Sequence, residues 1–267
     1  MKLDVNYYIE KKRETYDLSE RRKLLIIQVG DDPASNLYIN SKMREAEKWN
    51  IECIVKKFKE DVNTEDIKQW IRYGAFTETF ESFYRLSQQH RIGIIVQLPV
   101  PDEINYIDVL ESSFPILDVE GFINSNSIAC TPRGIYDYLN YLLGDLEGKH
   151  VVLIGRGETV GKPLTQLLLK ENCTLTVCNS HTTREQLNYQ LAQADIVISA
   201  VGKPNLFSVY DLKENTIVID AGISRVKGKQ VGDFSHDGDL NKVYYTPWTN
   251  GVGKLTVAAL MQNVREL

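Results

Sequence analysis

Short apolar segments alternate with helical segments along the first half of the chain. Strands are predicted at 24–29, 51–58 and 92–98, and helices at 34–50 and from Asn63 or Thr64 toward Gln89, with a break near Gly74. The helix over 34–50 has a predicted apolar stripe of Ile39, Met43 and Ala46. The nearly continuous apolar run at 92–98 is typical of a parallel sheet covered on both faces.

A second alternating set begins after residue 149. Strands are predicted at 150–154, 174–178, 196–200, 216–220 and 243–245, and helices at 132–143, from the glycine-rich turn through Lys170, at 184–193 and at 255–267. Between the two sets, residues 111–128 are predicted to be irregular and to cross from one set to the other. The alternation predicts an α/β fold of two lobes with parallel sheets.

Composition narrows the class of protein. The chain has 267 residues, 43% of them hydrophobic, and a net charge of −5, so it can bury a core and is a poor candidate for nucleic-acid binding. Residues 1–23 lack the apolar stretch of a signal peptide, and no apolar run is long enough for a membrane span. The four cysteines form no C-x-x-C pair, so we expect a cytoplasmic protein with reduced thiols and no metal site.

A glycine-rich loop follows the strand predicted to end at Ile154. The segment G-R-G-E-T-V-G-K-P at 155–163 contains Gly155, Gly157 and Gly161. Strand, glycines and helix in this order predict a site where backbone N–H groups and a helix N-terminus hold a pyrophosphate. The spacing is one residue longer than the commonest dinucleotide fingerprint. A strand-to-helix turn without a ligand also fits the pattern.

The end of the next strand bears on the choice of cofactor. The segment Cys-Asn-Ser-His at 178–181 contains Ser180 but no carboxylate to bind a ribose 2′-hydroxyl, and Arg156 is a candidate partner for a 2′-phosphate. The sequence therefore favours NADP over NAD, with NAD as the alternative. Arg156 is equally compatible with a solvated loop cation. Gly202 and Ile223 follow later strands and are expected to border the cofactor, although a simple turn of the chain also fits both positions.

Several blocks in a fixed order resemble one known family across nearly the whole chain. The blocks are V-G-D-D-P-A-S-N-L-Y-I-N-S-K at 29–42, G-I-I-V-Q-L-P-V-P at 93–101, D-V-E-G-F at 118–122, C-T-P-R-G-I at 130–135, G-K-H-V-V-L-I-G-R-G-E-T-V-G-K-P at 148–163, A-D-I-V-I-S-A-V-G-K-P at 194–204, V-I-D-A-G-I at 218–223 and T-P-W-T-N-G-V-G-K-L-T at 246–256. They resemble the bifunctional methylenetetrahydrofolate dehydrogenase/methenyltetrahydrofolate cyclohydrolases.

The resemblance implies an architecture and a reaction. It implies an N-terminal three-layer α/β catalytic lobe of residues 1–128 plus 250–267, to which the C-terminal helix returns, and a Rossmann-type lobe of residues 129–249. It further implies oxidation of 5,10-methylenetetrahydrofolate by hydride transfer to a nicotinamide, hydrolysis of the methenyl product to 10-formyltetrahydrofolate, and a homodimer. Tetrahydrofolate derivatives are the expected partners.

The resemblance also implies the roles of particular residues. Lys42 is expected to be the catalytic lysine, and Tyr38, one helical turn away, to pack on the folate ring system. Gln97 is expected to hydrogen-bond the lysine and the reacting water. By spacing alone, Tyr38 and Lys42 also fit an amphipathic helix edge with a solvated lysine, and Gln97 fits a buried amide that binds loop backbone.

Further contacts are expected around these residues. Asp118 matches the first acidic position of the family pattern D-V-D-G and is expected to be catalytic, while Glu120 replaces its second Asp, which grips the pterin. Acidic loop residues are otherwise usually solvated. The remaining substrate contacts are expected from Val96, Leu98, Asn250 and Gly251.

The chain departs from the family pattern in several places. Gly157 replaces a serine, His181 replaces a basic residue, and the stretch between Phe122 and Cys130 is short. In the 249–256 loop Asn250 replaces a glycine, which a turn tolerates because Asn adopts positive φ readily, and Lys254 replaces a proline. These departures leave two alternatives open: a dehydrogenase with weak or lost cyclohydrolase activity, and a non-catalytic protein that binds NAD(P) or folate.

Overall fold

The computed structural model describes residues 1–71, 91–112, 117–123 and 127–267. In chain order the elements are α1 (Val5–Arg13), β1 (Arg22–Val29), α2 (Pro33–Lys48), β2 (Ile51–Phe58), α3 (Thr64–Gln69), β3 (Ile92–Val96), α4 (Tyr106–Glu111), α5 (Cys130–Leu143), β4 (His150–Ile154), α6 (Gly161–Leu168), β5 (Thr174–Cys178), α7 (Arg184–Gln193), β6 (Ile196–Ser199), β7 (Ile217–Asp220), β8 (Ser224–Val226), β9 (Lys229–Val231), β10 (Tyr244–Tyr245) and α8 (Val252–Glu266). The predicted α/β class is confirmed.

The chain divides into two compact units. The three-stranded unit comprises Arg13–Cys130 and Val257–Leu267, and the five-stranded unit comprises Met1–Lys12 and Thr131–Thr256. The first twelve residues belong to the five-stranded unit because Lys2 forms a parallel bridge with Tyr245. The expected division assigned them to the other lobe.

The three-stranded unit has a parallel sheet in the order β2-β1-β3. Successive side chains of a strand point to opposite faces, so Leu24 and Ile26 of β1 enter one apolar cluster and Leu25 and Ile27 the other. Helices α2 and α8 contribute to the first cluster and α3 and α4 to the second. Helices on both faces of the sheet make this unit three-layered, as the family resemblance implied.

Helix α2 buries a different stripe from the predicted one. Asp32 caps its N-terminus by accepting the backbone N–H of Ser35. Its buried face contains Ile39 and Ala46 as predicted, but Met43 is 40% exposed, and Lys42 is buried in its place. At 100° per residue Lys42 and Met43 lie on opposite sides of the stripe formed by Ile39 and Ala46, and the helix turns the side with Lys42 toward the sheet.

The other differences from the sequence predictions concern one helix that is described only in part and several elements that were not predicted. Most of the helix predicted from Asn63 toward Gln89, including the break near Gly74, lies outside the described residues; the described part is α3, capped by Asn63. The sequence analysis missed α1, α4 and the antiparallel hairpin of β8 and β9. Helix α1 is rich in charge, which masks the buried trio Val5, Tyr8 and Ile9.

The five-stranded unit has a parallel sheet in the order β10-β7-β6-β4-β5. Counted along the chain this is a doubly wound order of the 2-1-3-4-5 type, and the winding reverses between β4 and β6. Ligands of such sheets bind outside the carboxyl ends of the strands at the reversal. No helix in the described parts of the chain combines the length and apolar character that a membrane crossing requires.

Two buried carboxylates lie at the carboxyl ends of β6 and β7. Asp233 is fully buried and accepts hydrogen bonds from the Ser199 hydroxyl and from the backbone N–H groups of Val201 and Lys203. Asp220 is 5% exposed and accepts the backbone N–H groups of Gly222 and Phe234. Burial, together with the neighbouring negative charge of Asp233, raises the pKa of Asp220 to about 6.

This shift predicts a stability change with pH. Unfolding returns Asp220 to its ordinary pKa near 3.8, so the folded state binds the proton more tightly and loses stability as pH rises from about 4 to about 6. The loss amounts to about 3 kcal/mol. In Asp220→Asn this ionisation cost is absent, so the variant should gain about 3 kcal/mol relative to the parent chain between about pH 4 and pH 7, measured by urea unfolding at each pH.

The control is Asp102→Asn, which removes an exposed carboxylate from the other unit. It should leave the pH profile of the unfolding free energy unchanged. A stability difference between Asp220→Asn and the parent chain that is constant across this pH range contradicts the raised pKa, even if the variant is less stable throughout.

Candidate active site and dinucleotide-binding site

Lys42 is a buried lysine with two polar partners in the three-stranded unit. Its side chain projects from α2, and the residue is only 7% exposed. Its Nζ donates a hydrogen bond of 3.0 Å to Oε1 of Gln97 and lies 3.5 Å from Oε2 of Glu120. A buried ammonium group is tolerated only where charged or polar partners replace water, and these two side chains do so.

Gln97, which follows β3 directly, is held by one hydrogen bond from its backbone and one from its side chain. Its backbone N–H donates to the carbonyl of Ile27 on β1, and its Nε2 donates to the carbonyl of Leu98 at 2.6 Å. The second bond fixes which end of the amide faces Lys42, because Oε1 is left as the acceptor. Val96 is buried in the strand, Leu98 is half-buried, and the Leu98–Pro99 peptide is cis.

Asp118 and Glu120 make different contacts in the structure. The carboxylate of Asp118, 1% exposed, accepts the backbone N–H groups of Glu120, Gly121 and Ile123. These three bonds fold the chain into a tight turn around the carboxylate. Glu120 leaves that turn with its side chain directed at Lys42. Of the two acidic residues, Glu120 is therefore the one that forms the ion pair.

Tyr38 lies on α2 one turn before Lys42 and is 43% exposed, so its ring is accessible to a ligand. Cys53 of β2 lies close enough to be influenced by the charge of Lys42. Burial raises the pKa of the Cys53 thiol to about 11, so this cysteine stays neutral at physiological pH. Glu120 thus remains the neighbour that forms an ion pair with Lys42.

The 249–256 loop belongs to the five-stranded unit. Asn250 has φ of +61°, which confirms the expectation that it keeps the turn of the family's glycine. Gly251 is buried, and a Cβ there would lie 2.1 Å from the carbonyl oxygen of Pro247. Lys254 donates to Oδ1 of Asn6 on α1 at 2.6 Å, so its charge has a partner on the same unit.

The glycine-rich loop meets the steric demands of a phosphate site. Gly155 follows β4 with φ of +108°, and a Cβ on it would lie 2.7 Å from the carbonyl oxygen of Ala200. A Cβ on Gly161 would lie 2.4 Å from the carbonyl oxygen of Gly155. Gly157, by contrast, is exposed and faces open space, so nothing at this position requires a glycine.

Helix α6 begins at Gly161 without a side-chain cap. Its N-cap is Val160, whose side chain cannot accept a hydrogen bond, while the N–H of Lys162 donates to the carbonyl of Gly157 and Pro163 has no N–H. An uncapped helix N-terminus beside a tight glycine turn is a suitable place for an anionic pyrophosphate. Arg156 is exposed within this loop. These observations fit a dinucleotide at the carboxyl end of β4.

A cavity of about 470 Å³ lies between the carboxyl ends of β4 and β5, the start of α7 and the loop after β6. Its apolar lining comprises Ile154, Leu187, Val201 and Leu206, together with Cys178. Its polar lining comprises Asn179, Ser180, Thr182, Arg184 and Lys203. The lining includes no carboxylate and two cations, which fits a nucleotide that carries extra negative charge.

The structure brings part of the predicted cofactor set together. Ser180 lines the cavity, and Gly202, with φ of +65°, lies next to Ile223 at the neighbouring strand ends. The lining does not include Arg156. The sequence analysis missed Thr182, Arg184 and Lys203. All three residues lie within six residues of a strand end beside the cavity, and this position in the sequence could have identified them as candidates.

Two family models match successive parts of the chain. A family model described as the catalytic domain of tetrahydrofolate dehydrogenase/cyclohydrolase matches residues 4–120, and one described as its NAD(P)-binding domain matches residues 129–267. The bifunctional protein FolD of Anoxybacillus flavithermus is 40% identical over an alignment of 256 residues, and the match covers 90% of this chain and 84% of the relative.

Two solved structures extend the comparison to the fold. The bifunctional dehydrogenase/cyclohydrolase FolD of Campylobacter jejuni is 33% identical with a TM-score of 0.80, over 98% of this chain and 90% of that chain. The Trypanosoma brucei enzyme, complexed with NADP and an inhibitor, is 25% identical with a TM-score of 0.83, over 99% and 95% of the two chains. The chain belongs to the tetrahydrofolate dehydrogenase/cyclohydrolase family.

Proposed function

We propose that this chain oxidises 5,10-methylenetetrahydrofolate to the 5,10-methenyl form with NADP, and hydrolyses the methenyl form to 10-formyltetrahydrofolate. The observation that carries the proposal is the buried Lys42 held between Gln97 and Glu120. NADP, when bound, accepts a hydride from the methylene carbon. The chain's own residues bind and orient the folate and move the proton that hydrolysis requires.

Lys42 is the group that moves this proton. Hydrolysis forms a bond between a water oxygen and the methenyl carbon and breaks the bond from that carbon to the ring nitrogen. Of the two water protons, one goes to that nitrogen and the other is released. Gln97 presents its Oε1 to Nζ of Lys42 and is itself fixed through Leu98, so the lysine is held in one place. A fixed amine beside a neutral amide can position a water and exchange a proton with it.

Glu120 has two roles in this proposal. Its carboxylate compensates the charge of Lys42 within the protein, and it can accept the two parallel N–H bonds that a pterin offers. Its negative charge also favours the cationic methenyl product. Asp118 acts as a positioning residue, because its three backbone hydrogen bonds form the turn from which Glu120 projects.

The remaining predicted contacts complete the proposed sites. Tyr38 would stack on the folate ring system, with Val96, Leu98, Asn250 and Gly251 as further contacts. The loop around Gly155 and Gly161 would hold the pyrophosphate, and the cavity beyond β5 would hold the adenosine part. The family resemblance also supports a cytoplasmic homodimer that acts on tetrahydrofolate derivatives.

The first prediction concerns turnover and cofactor. Purified protein given 5,10-methylenetetrahydrofolate should produce methenyl absorbance and then 10-formyl product, with a higher kcat/KM for NADP than for NAD. The reason is that the adenosine cavity is lined by cations without a carboxylate. The measurement is a spectrophotometric assay with each cofactor separately. Absence of turnover with both cofactors would contradict the proposed function.

The second prediction concerns Lys42. Lys42→Met keeps an unbranched side chain as far as the ε position but removes the amine, so hydrolysis of the methenyl form should fall by roughly 100-fold or more. The measurement is the decay of methenyl absorbance, starting from the methenyl compound without cofactor. The matched control is Lys48→Met on the same helix, where Nζ of an exposed lysine pairs with Glu45. It should leave hydrolysis within about twofold of the parent chain.

A thermal melt of each variant separates misfolding from loss of chemistry. Hydrolysis that survives Lys42→Met at the parent rate would show that the lysine does not move the proton. Equal losses in the two variants would show an effect of helix α2 as a whole.

A further inference from the structure

Asn263 is a buried asparagine of α8 to which the proposed chemistry assigns no role. The residue is 3% exposed, and its Nδ2 donates to the carbonyl oxygens of Val119 at 2.8 Å and Ile128 at 2.9 Å. The amide nitrogen carries two hydrogens, so one side chain serves two carbonyls from separate segments of the chain. Val119 lies between Asp118 and Glu120, so the asparagine bonds to the backbone of the turn that carries Glu120.

The two segments that Asn263 joins are in direct contact with each other. The backbone N–H of Cys130 donates to the carbonyl of Glu120 at 3.1 Å. Gly121 has φ of +79°, and a Cβ on it would lie 2.7 Å from the backbone nitrogen of Ala129. Because the segments lie this close, a single amide can reach a carbonyl of each, and Asn263 thereby ties both segments to α8.

These bonds hold both peptide groups that flank the Cα of Glu120. In the peptide before it, the carbonyl accepts from Asn263 and the N–H donates to Oδ1 of Asp118. In the peptide after it, the carbonyl accepts from the N–H of Cys130, and the N–H again donates to Oδ1 of Asp118. A peptide group is planar, so bonds at both of its polar ends fix its orientation. The two fixed planes set φ and ψ of Glu120, and hence the direction in which its side chain leaves the backbone.

The direction of the Glu120 side chain decides how close its carboxylate lies to Lys42. Oε2 of Glu120 is 3.5 Å from Nζ of the lysine. The family pattern has the shorter aspartate at this position, and a glutamate has one more rotatable bond, so its carboxylate can reach more positions from a given backbone. A fixed backbone at Glu120 restricts this additional freedom, which keeps the carboxylate beside the amine.

We infer that Asn263 is a positioning residue for hydrolysis of the methenyl substrate. Through the peptide between Val119 and Glu120 it holds the carboxylate of Glu120 beside Lys42. This inference rests on the proposed function. It gives α8 a part in the site, whereas the sequence analysis expected no site residue from that helix.

The test is a double-mutant cycle on hydrolysis of the methenyl compound by the full chain, without cofactor. Asn263→Ala removes both donors and leaves space for a water to bind the freed carbonyls, which favours folding. It should lower kcat/KM by about 10-fold, because the carboxylate of Glu120 is no longer held in one place. In Glu120→Ala, which has no carboxylate to position, the same change should cost less than about twofold.

Gln262→Ala is the matched control. Gln262 is a fully buried amide on the same helix, and its Oε1 accepts a hydrogen bond from the hydroxyl of Tyr16 at 3.3 Å. Its loss should lower the melting temperature, as Asn263→Ala does, but leave hydrolysis within about twofold of the parent chain. Asn263→Ser keeps one hydroxyl donor, so it should retain more hydrolysis than Asn263→Ala, and it keeps the test decisive if Asn263→Ala does not fold.

Two kinds of outcome overturn the inference in distinguishable ways. A parent chain that does not accelerate hydrolysis of the methenyl compound contradicts the proposed function, and the inference with it. A parent chain that does accelerate it leaves the proposed function intact, and the loss in Asn263→Ala then decides. If that loss is absent, equal in the two backgrounds, or matched by Gln262→Ala, Asn263 stabilises the fold without positioning Glu120.

Discussion

The buried ammonium group of Lys42 is the constraint on which the three-stranded unit depends. Removing a charged amine from water costs several kcal/mol unless nearby groups replace the lost hydrogen bonds. Helix α2 turns Lys42 toward the sheet, β3 ends at the point where Gln97 can accept from it, and the turn at residues 118–123 delivers Glu120. Three separate segments are thus fixed by one side chain, and that side chain is the proposed centre of the chemistry.

Both units use the same kind of interaction, a buried aspartate bonded to backbone N–H groups, to position residues of the proposed sites. In each unit a buried aspartate accepts backbone N–H groups from a loop after a β-strand and so holds that loop in one conformation. Asp118 does this for the turn that carries Glu120, and Asp233 for the loop with Val201 and Lys203 that lines the adenosine cavity. A carboxylate suits this task because it accepts several bonds at once from a small volume. Acidic residues in these loops can therefore contribute to a site by holding the loop in one conformation, without contacting a ligand.

The sequence predicted the strands and the glycine-rich loop well, because both depend on local patterns. Buried parallel strands are continuous apolar runs, and Gly155 and Gly161 are required by close backbone approaches. The positive φ of Asn250 was also predictable from residue type. Met43 was wrongly assigned to the core because hydrophobicity alone favours methionine over lysine, whereas the actual core position of Lys42 depends on Gln97 and Glu120, which are distant in sequence.

The division of roles between acidic residues was likewise not available from the sequence. Asp118 and Glu120 are two residues apart, and a family pattern alone assigns both to the site. Hydrogen bonds in the folded chain separate the one that holds the turn from the one that meets the lysine. Arg184 was missed for a similar reason, since only the packing of α7 against the loop after β6 reveals that it lines a cavity.

The central claim is that Lys42 and Glu120 act as one unit in hydrolysis of the methenyl substrate. The most direct measurement is a double-mutant cycle on kcat/KM with Lys42→Met, Glu120→Gln and the two combined. If the pair acts together, the combined variant should lose less than the product of the two single losses, because the part of the Glu120→Gln effect that passes through Lys42 is already lost and only the direct contacts of Glu120 with the pterin remain to be removed. If the two losses multiply, the residues act independently, and the account of the site given above is wrong.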